Sequence, residues 1–163
     1  MNLFKKASPA TVCFAAALLF FYSFFQLTMF NSISTPLMQD FTISPSVLGY
    51  LSASYFFANA LATIPAGLLL DRFSVRRWAL VIMLLCALAT ILFSITHSLS
   101  VAIVCRMING IGNTFGFLAS MQMAARWLPT KRLASGIGLI ITFIMLGGIV
   151  SQTPFVFLVA HTS

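Results

Sequence analysis

The sequence predicts an all-α, polytopic membrane protein with five transmembrane helices, and three observations carry that reading. Hydrophobic residues make up 60% of the chain and charged residues only 7%. A soluble domain has about 25% charged residues, so there is too little polar surface here to cover a soluble particle. The apolar residues form continuous runs without period-two alternation, which selects helices over barrel strands. Eight of the nine Lys and Arg lie at one set of run ends. The net charge of +7 therefore reflects topology. A nucleic-acid binder gathers its basic residues into one patch, whereas these are spread between apolar runs, so no nucleic-acid partner is expected.

The runs are Ala10 to Phe30, Val47 to Leu70, Trp78 to Ile95, Leu99 to Trp127 and Leu133 to Ala160. Each meets or approaches the ~20 residues that cross a bilayer core. Lys5 and Lys6 precede the first run as in a signal peptide, but the run far exceeds a signal core of about 7–15 residues, so it is read as retained. It carries Tyr22 and Gln26 one turn apart. The second run places Ser52, Tyr55, Asn59 and Thr63 within roughly 80° on a helical wheel, and Pro65 is expected to weaken or kink it by removing a backbone donor. The third is the shortest and has no amide or charge. Its Thr90 and Ser94 can bond their own backbone carbonyls, so it is expected at the periphery, facing lipid. In the fourth, Arg106, Asn109, Asn113 and Ser120 share an arc of roughly 60°. The fifth carries Gly136, Gly138, Gly147, Gly148 and Pro154.

Basic residues set the orientation. Lys5 and Lys6 precede the first run, Arg72, Arg76 and Arg77 follow the second, and Arg126, Lys131 and Arg132 follow the fourth. The opposite loops, Asn31 to Ser46 and Thr96 to Ser98, contain none. The positive-inside rule then makes the N-terminus cytoplasmic and puts Ser163 outside, in a multi-pass protein of a bacterial inner membrane.

Arg106 is the candidate functional residue. A charge at membrane depth costs about 3 kcal/mol or more unless it meets a wet cavity or a partner, and no carboxylate lies in the runs to pair with it. Cavity lining is the functional reading. Interhelical hydrogen bonding is the structural one, for Arg106 through backbone carbonyls and for Asn59 or Gln26 through neighbouring helices. Cys13, Cys86 and Cys105 show no metal-ligand or CxxC spacing and are read as packing or lipid-facing. His97 and His161 sit in or beside outer loops and are read as solvated, so no metal and no cofactor are expected. Gly112 and Gly116 form a GxxxG pair suited to close helix packing.

Between the second and third runs stands Gly67-Leu-Leu-Leu-Asp71-Arg72-Phe-Ser-Val-Arg76-Arg77. Topology accounts for the arginines but not for an Asp among them. The segment resembles the loop signature of the major facilitator superfamily, Gly-x-x-x-Asp-Arg-x-Gly-x-Arg-Arg, with Ser74 in place of the second Gly. Cys105-Arg106-Met-Ile-Asn109-Gly110-Ile-Gly112 is similar to that family's fourth-helix pattern, and Trp127 to Gly136 to its loop into the fifth helix.

The resemblance implies a twelve-helix transporter of two six-helix halves, with a cavity lined by the first, second, fourth and fifth helices of this half and a peripheral third. The chain corresponds to an N-terminal bundle over residues 1–163 that lacks its sixth helix, as in a truncated product, a fragment or one part of a split protein whose partner is the missing C-terminal half. By the same resemblance Asp71 closes the cytoplasmic side against a helix N-terminus of the other half, Gly67 permits close packing there, and Arg72, Arg76 and Arg77 tune the contact. The fifth run lacks the Gly-Pro pair of drug/proton antiporters, and the second resembles branches carrying organic anions or small metabolites. The expected substrate is therefore a small, anionic organic solute, attracted by Arg106 and oriented by Asn109, Asn113, Tyr22, Gln26, Tyr55 and Asn59. With no carboxylate in the runs, the coupling ion is unassigned. A non-transporting membrane partner assembling through its Gly faces is the alternative. An enzyme is not expected, because His-Glu-x-x-His, Gly-x-Ser-x-Gly and paired carboxylates do not occur.

Overall fold

The computed structural model describes residues 9–162, with side chains from Phe14 to Gln152 apart from those of Pro36, Asp40, Trp127, Thr130 and Arg132. Lys5 and Lys6, and the side chains of Cys13, Arg132, Pro154 and His161, lie outside what is described. Among the described residues six helices follow one another: α1 (Pro9–Ser32), α2 (Ser34–Asp40), α3 (Pro45–Arg72), α4 (Val75–Ile95), α5 (Leu99–Trp127) and α6 (Thr130–Thr162). Five are long and apolar enough to cross a membrane. The protein is an integral, multi-pass membrane protein.

The short α2 interrupts what the sequence presented as a plain outer loop. At seven residues it is too brief for a periodic pattern to announce it. It ends where Thr42 takes a left-handed φ of 49°. The span helices otherwise stop and start tightly. Ser44, Ser74 and Ser98 each precede a helix in extended conformation, and Pro45 follows Ser44 at the first helical position, where its missing N–H costs nothing. Pro65, expected to weaken its helix, lies within one uninterrupted α3.

The two-residue link at Phe73 and Ser74 turns the chain back, yet α4 packs along α5 and meets α3 only slightly. α5 is the hub: α3, α4 and α1 all lie against it, and α1 in turn carries α6. The backbones of α1 and α4 do not come together.

Alanines make these seams. Ala58, Ala62 and Ala66 on α3 are buried at helical spacing, and Ala102, Ala119 and Ala124 on α5 and Ala16 and Ala17 on α1 are buried as well. In lipid there is no hydrophobic force between helices, so contact depends on close van der Waals packing, which small side chains permit. Many of the large side chains point outward. Leu80, Leu84, Leu88, Ile91 and Ile95 of α4 are all exposed, in agreement with a peripheral, lipid-facing third span.

The α5 glycines serve different neighbours. A Cβ on Gly110 would overlap the Tyr55 carbonyl oxygen of α3, one on Gly112 the Cys86 sulfur of α4, and one on Gly116 the Ser23 hydroxyl of α1. The Gly112/Gly116 pair is thus not one dimerisation face. It lies at the boundary between two partners within the same chain.

Candidate functional site

The polar stripe of α5 turns into the bundle where α1, α3 and α4 converge. Arg106 is 4% exposed. Its guanidinium carbon lies 3.8 Å from the centre of the Phe30 ring on α1 and 4.7 Å from that of Tyr55 on α3. Two aromatic faces therefore meet the cation where the sequence offers no carboxylate, each contact worth ~0.5–2 kcal/mol. Phe30 was not legible as a partner, because it stands 76 positions away in a helix end crowded with phenylalanines.

Aromatic faces leave the Nε–H of Arg106 unanswered. Arg106 Nε, Asn109 Oδ1 and Asn113 Oδ1 are buried without a hydrogen-bond partner among the described residues, as is the Tyr55 hydroxyl. Arg106 and Asn109 line a cavity of about 30 Å³ with Gln26, Thr90 and Phe93. Asn109 and Asn113 line a second, of about 20 Å³, with Tyr22, Ser23 and Cys86. Gln26 belongs to both. Each is large enough for a water molecule, the partner that such buried polar atoms ordinarily take.

Gln26 ties this region together. Its Nε2 donates to the Tyr22 hydroxyl at 2.8 Å and to Thr90 Oγ1 at 2.6 Å, while Thr90 donates to its own backbone at Cys86 O, 2.8 Å away. The self-satisfaction expected of Thr90 is present. Its second role, as acceptor for α1, is not one that a single helix can display. The peripheral α4 thus contributes a polar group to the Arg106 region.

The stripe expected on the second span behaves differently. Tyr55 is buried, Asn59 is half-buried and Thr63 is exposed. Asn59 Nδ2 donates to Gly110 O at 3.3 Å, and Asn59 O accepts from Thr114 Oγ1 at 3.0 Å, so Asn59 joins α3 to α5. Ser120 leaves the cluster as well, donating to Ala16 O at 2.9 Å. Among the candidate residues, Arg106, Asn109, Asn113, Tyr22, Gln26 and Tyr55 come together, and Asn59 acts as an interhelical tie.

At the other end of α3 the loop motif forms its own site. Asp71, Arg72, Arg76 and Arg77 are exposed, and the Asp71 carboxylate accepts a 2.6 Å hydrogen bond from Gln122 Nε2 of α5. Gln122 was missed by sequence reading because it lies off the polar stripe. Nothing in the described chain comes within 4 Å of a Cβ placed on Gly67, so no close packing uses it here. Cys86 and Cys105 are buried and free, as packing residues should be, and among the described residues no group of His, Cys, Asp or Glu could hold a metal ion.

The family model for the Major Facilitator Superfamily matches residues 16–162, almost the whole chain. The chain belongs to the Major Facilitator Superfamily. The Gly67 to Arg77 segment with its Asp71–Gln122 contact lies within the matched residues. Superfamily relatives include "Probable sulfoacetate transporter SauU" of Cupriavidus necator, 26% identical over 130 residues, covering 79% of this chain and 30% of that protein. "Nitrate/nitrite transporter NrtP" of a Picosynechococcus strain is 27% identical over 124 residues, 74% of this chain and 22% of the relative. "Probable galactarate/D-glucarate transporter GudP" of Pseudomonas putida is 28% identical over 103 residues, 58% and 22% respectively. These relatives are named as transporters and none as an enzyme. The chain spans less than a third of the length of the curated relatives it matches. No solved structure matches it.

Proposed function

We propose that this chain forms part of a secondary transporter for a small anionic solute, with Arg106 as the attracting charge. The observation that carries the reading is a buried cation with an unpartnered Nε, set among unpartnered amide oxygens, in spans that hold no facing carboxylate. A positive charge kept at membrane depth without a counter-ion favours an anion that enters its surroundings. Arg suits carboxylate, sulfonate or nitrate oxygens through bidentate, charge-assisted hydrogen bonds. Relatives named for sulfoacetate, nitrate/nitrite and galactarate/glucarate support an anionic substrate. Asn109, Asn113, Gln26, Tyr22 and Tyr55 orient it, and rocking of this bundle against a second one gives alternating access. Asp71 serves the cytoplasmic closure, held by Gln122 until it meets its partner in the other half. The arginine-bearing loops face the cytoplasm of a bacterial inner membrane.

A second reading has a specific observation behind it. Phe30 and Tyr55 sandwich Arg106, as they would if its task were to clamp α1, α3 and α5. Binding of sulfoacetate, nitrate and D-glucarate to the complete transporter separates the two. The binding role predicts that Arg106→Gln loses at least tenfold in affinity while keeping its thermal unfolding midpoint, with Arg106→Lys in between. Unchanged affinity in stable Arg106→Gln protein rejects that role and leaves the clamp. Orientation is tested by cysteine accessibility: Arg76→Cys and Lys131→Cys should label from the cytoplasm, and Asp40→Cys and His97→Cys from outside. Labelling of Arg76→Cys and Asp40→Cys from the same side would overturn the five-span topology.

A further inference from the structure

The backbones of α1 and α4 do not come together, yet one chain of hydrogen bonds crosses between them. It starts at the Cys86 carbonyl, which takes the Thr90 hydroxyl proton at 2.8 Å. Thr90 Oγ1 in turn accepts from Gln26 Nε2 at 2.6 Å, and the Tyr22 hydroxyl accepts from the same nitrogen at 2.8 Å. Each of these four residues lines one or both of the polar cavities beside Asn109.

The direction of this chain is set at its α4 end. A backbone carbonyl can only accept. Thr90, bonded back onto its own helix, has therefore committed its only proton to Cys86 O and can meet Gln26 only as an acceptor. A carboxamide carries protons on nitrogen and none on oxygen, so Thr90 admits Nε2 and rejects Oε1. Both amide protons are then engaged, one on Thr90 and one on Tyr22. Tyr22 is left receiving a hydrogen bond, and it donates to no acceptor among the described residues. A hydroxyl that accepts a hydrogen bond is polarised into a better donor. Oε1 remains as the acceptor that Gln26 brings to the cavity it shares with Arg106.

We propose that Thr90 is a positioning residue for solute recognition: by fixing the Gln26 amide it keeps the Tyr22 hydroxyl a donor, free to give its proton to an oxygen of the anion. This rests on the solute reading above, in which Tyr22 and Gln26 orient an anion near Arg106. The direction matters for the sign of the contact. With the amide reversed, Oε1 would take the Tyr22 proton, and Tyr22 would offer the solute lone pairs only, which repel an anionic oxygen. A peripheral helix thus decides, through one hydroxyl, whether a tyrosine of α1 attracts the solute or repels it.

The test uses the complete transporter with sulfoacetate, nitrate and D-glucarate as probes. Thr90→Val removes the acceptor and should weaken binding several-fold, the usual effect of losing one hydrogen bond, with the thermal midpoint unchanged. Thr90→Ser can make both bonds and should bind as wild type does. In a Tyr22→Phe background Thr90→Val should have no further effect. An equal loss in both backgrounds, as for a Thr90 that only packs, overturns the proposal. So does wild-type affinity in folded Thr90→Val protein. A measurement without solute separates this proposal from the solute reading. The tyrosine Raman doublet, taken as the difference between wild type and Tyr22→Phe, distinguishes a phenol that accepts from one that donates to Gln26. Tyr22 should accept in wild type and in Thr90→Ser, and donate in Thr90→Val. A donating Tyr22 in wild type overturns the proposal whether or not a probe binds. An accepting Tyr22 that Thr90→Val reverses, in a protein whose probe affinity ignores Arg106→Gln, rejects the solute reading at Arg106 and leaves the positioning of Tyr22 by Thr90 standing.

Discussion

α4 and α5 are neighbours packed along one seam, and both are long enough to span a membrane, yet they are buried in inverse order to their hydropathy. The more apolar α4 has 17% of its apolar stretch buried, whereas α5, with two arginines, two asparagines and three buried glycines along its length, has 50%. In water the ranking would be reversed. In lipid the tails are as apolar as leucine, so a Leu gains little by leaving them for another helix. Polar side chains do gain, because hydrocarbon offers them no hydrogen bond. Small residues gain as well, because they let backbones meet. α5 is central for the reasons that would place a soluble helix on the surface.

The sharpest test of this contrast is the α3–α5 seam. Gly110→Leu puts a side chain where the Tyr55 carbonyl stands, and backbone cannot move aside as a flexible side chain can. A cost of about 3 kcal/mol is expected, the upper part of the usual overpacking range, read as loss of monodisperse protein and a lower thermal midpoint. A normal midpoint would show that α3 and α5 are not held this closely. Next comes the aromatic clamp. Phe30→Leu keeps an apolar group but removes one face of the cation sandwich, and should cost about 1 kcal/mol in wild-type protein. In an Arg106→Gln background the cost should shrink, since the cation is gone. Equal costs in the two backgrounds would remove the cation–π contact from the account.

A smaller effect is expected at Ser120, whose hydroxyl bonds the Ala16 carbonyl across α5 and α1. Ser120→Ala should lower stability by roughly 0.6 kcal/mol, the average for hydrogen bonds between membrane helices. The smallest belongs to α4. Leu88→Ala, on the exposed face, should stay within about 0.5 kcal/mol of wild type. A loss of the size seen for buried leucines, about 2–5 kcal/mol, would mean that α4 is covered by protein and not by lipid.

Much of this architecture was legible beforehand, and the pattern of what was missed is informative. The five spans, the peripheral third helix and the loop signature follow from residues close together in the chain. Arg106, Asn109 and Asn113 were placed on one face because helical geometry alone fixes their angular relation. On the second span the small residues Ala58, Ala62 and Ala66 take the buried face, which the polar stripe does not display. Asn59, half-buried beside them, donates to Gly110 O.

Sequence by itself determined that the chain enters the membrane, where its spans lie, and which ends carry the basic residues. These are sums along one segment: each residue adds its transfer free energy whatever the rest of the chain does. Only the tertiary structure decided that Arg106 lies between Phe30 and Tyr55, that Gln26 reaches Thr90 across 64 positions, that Asp71 meets Gln122 and that Gly112 and Gly116 serve different helices. Such pairings depend on how each helix is rotated and how far it slides against its neighbours. Those variables are set by shape and backbone approach between segments far apart in the chain, so no single stretch of sequence contains them.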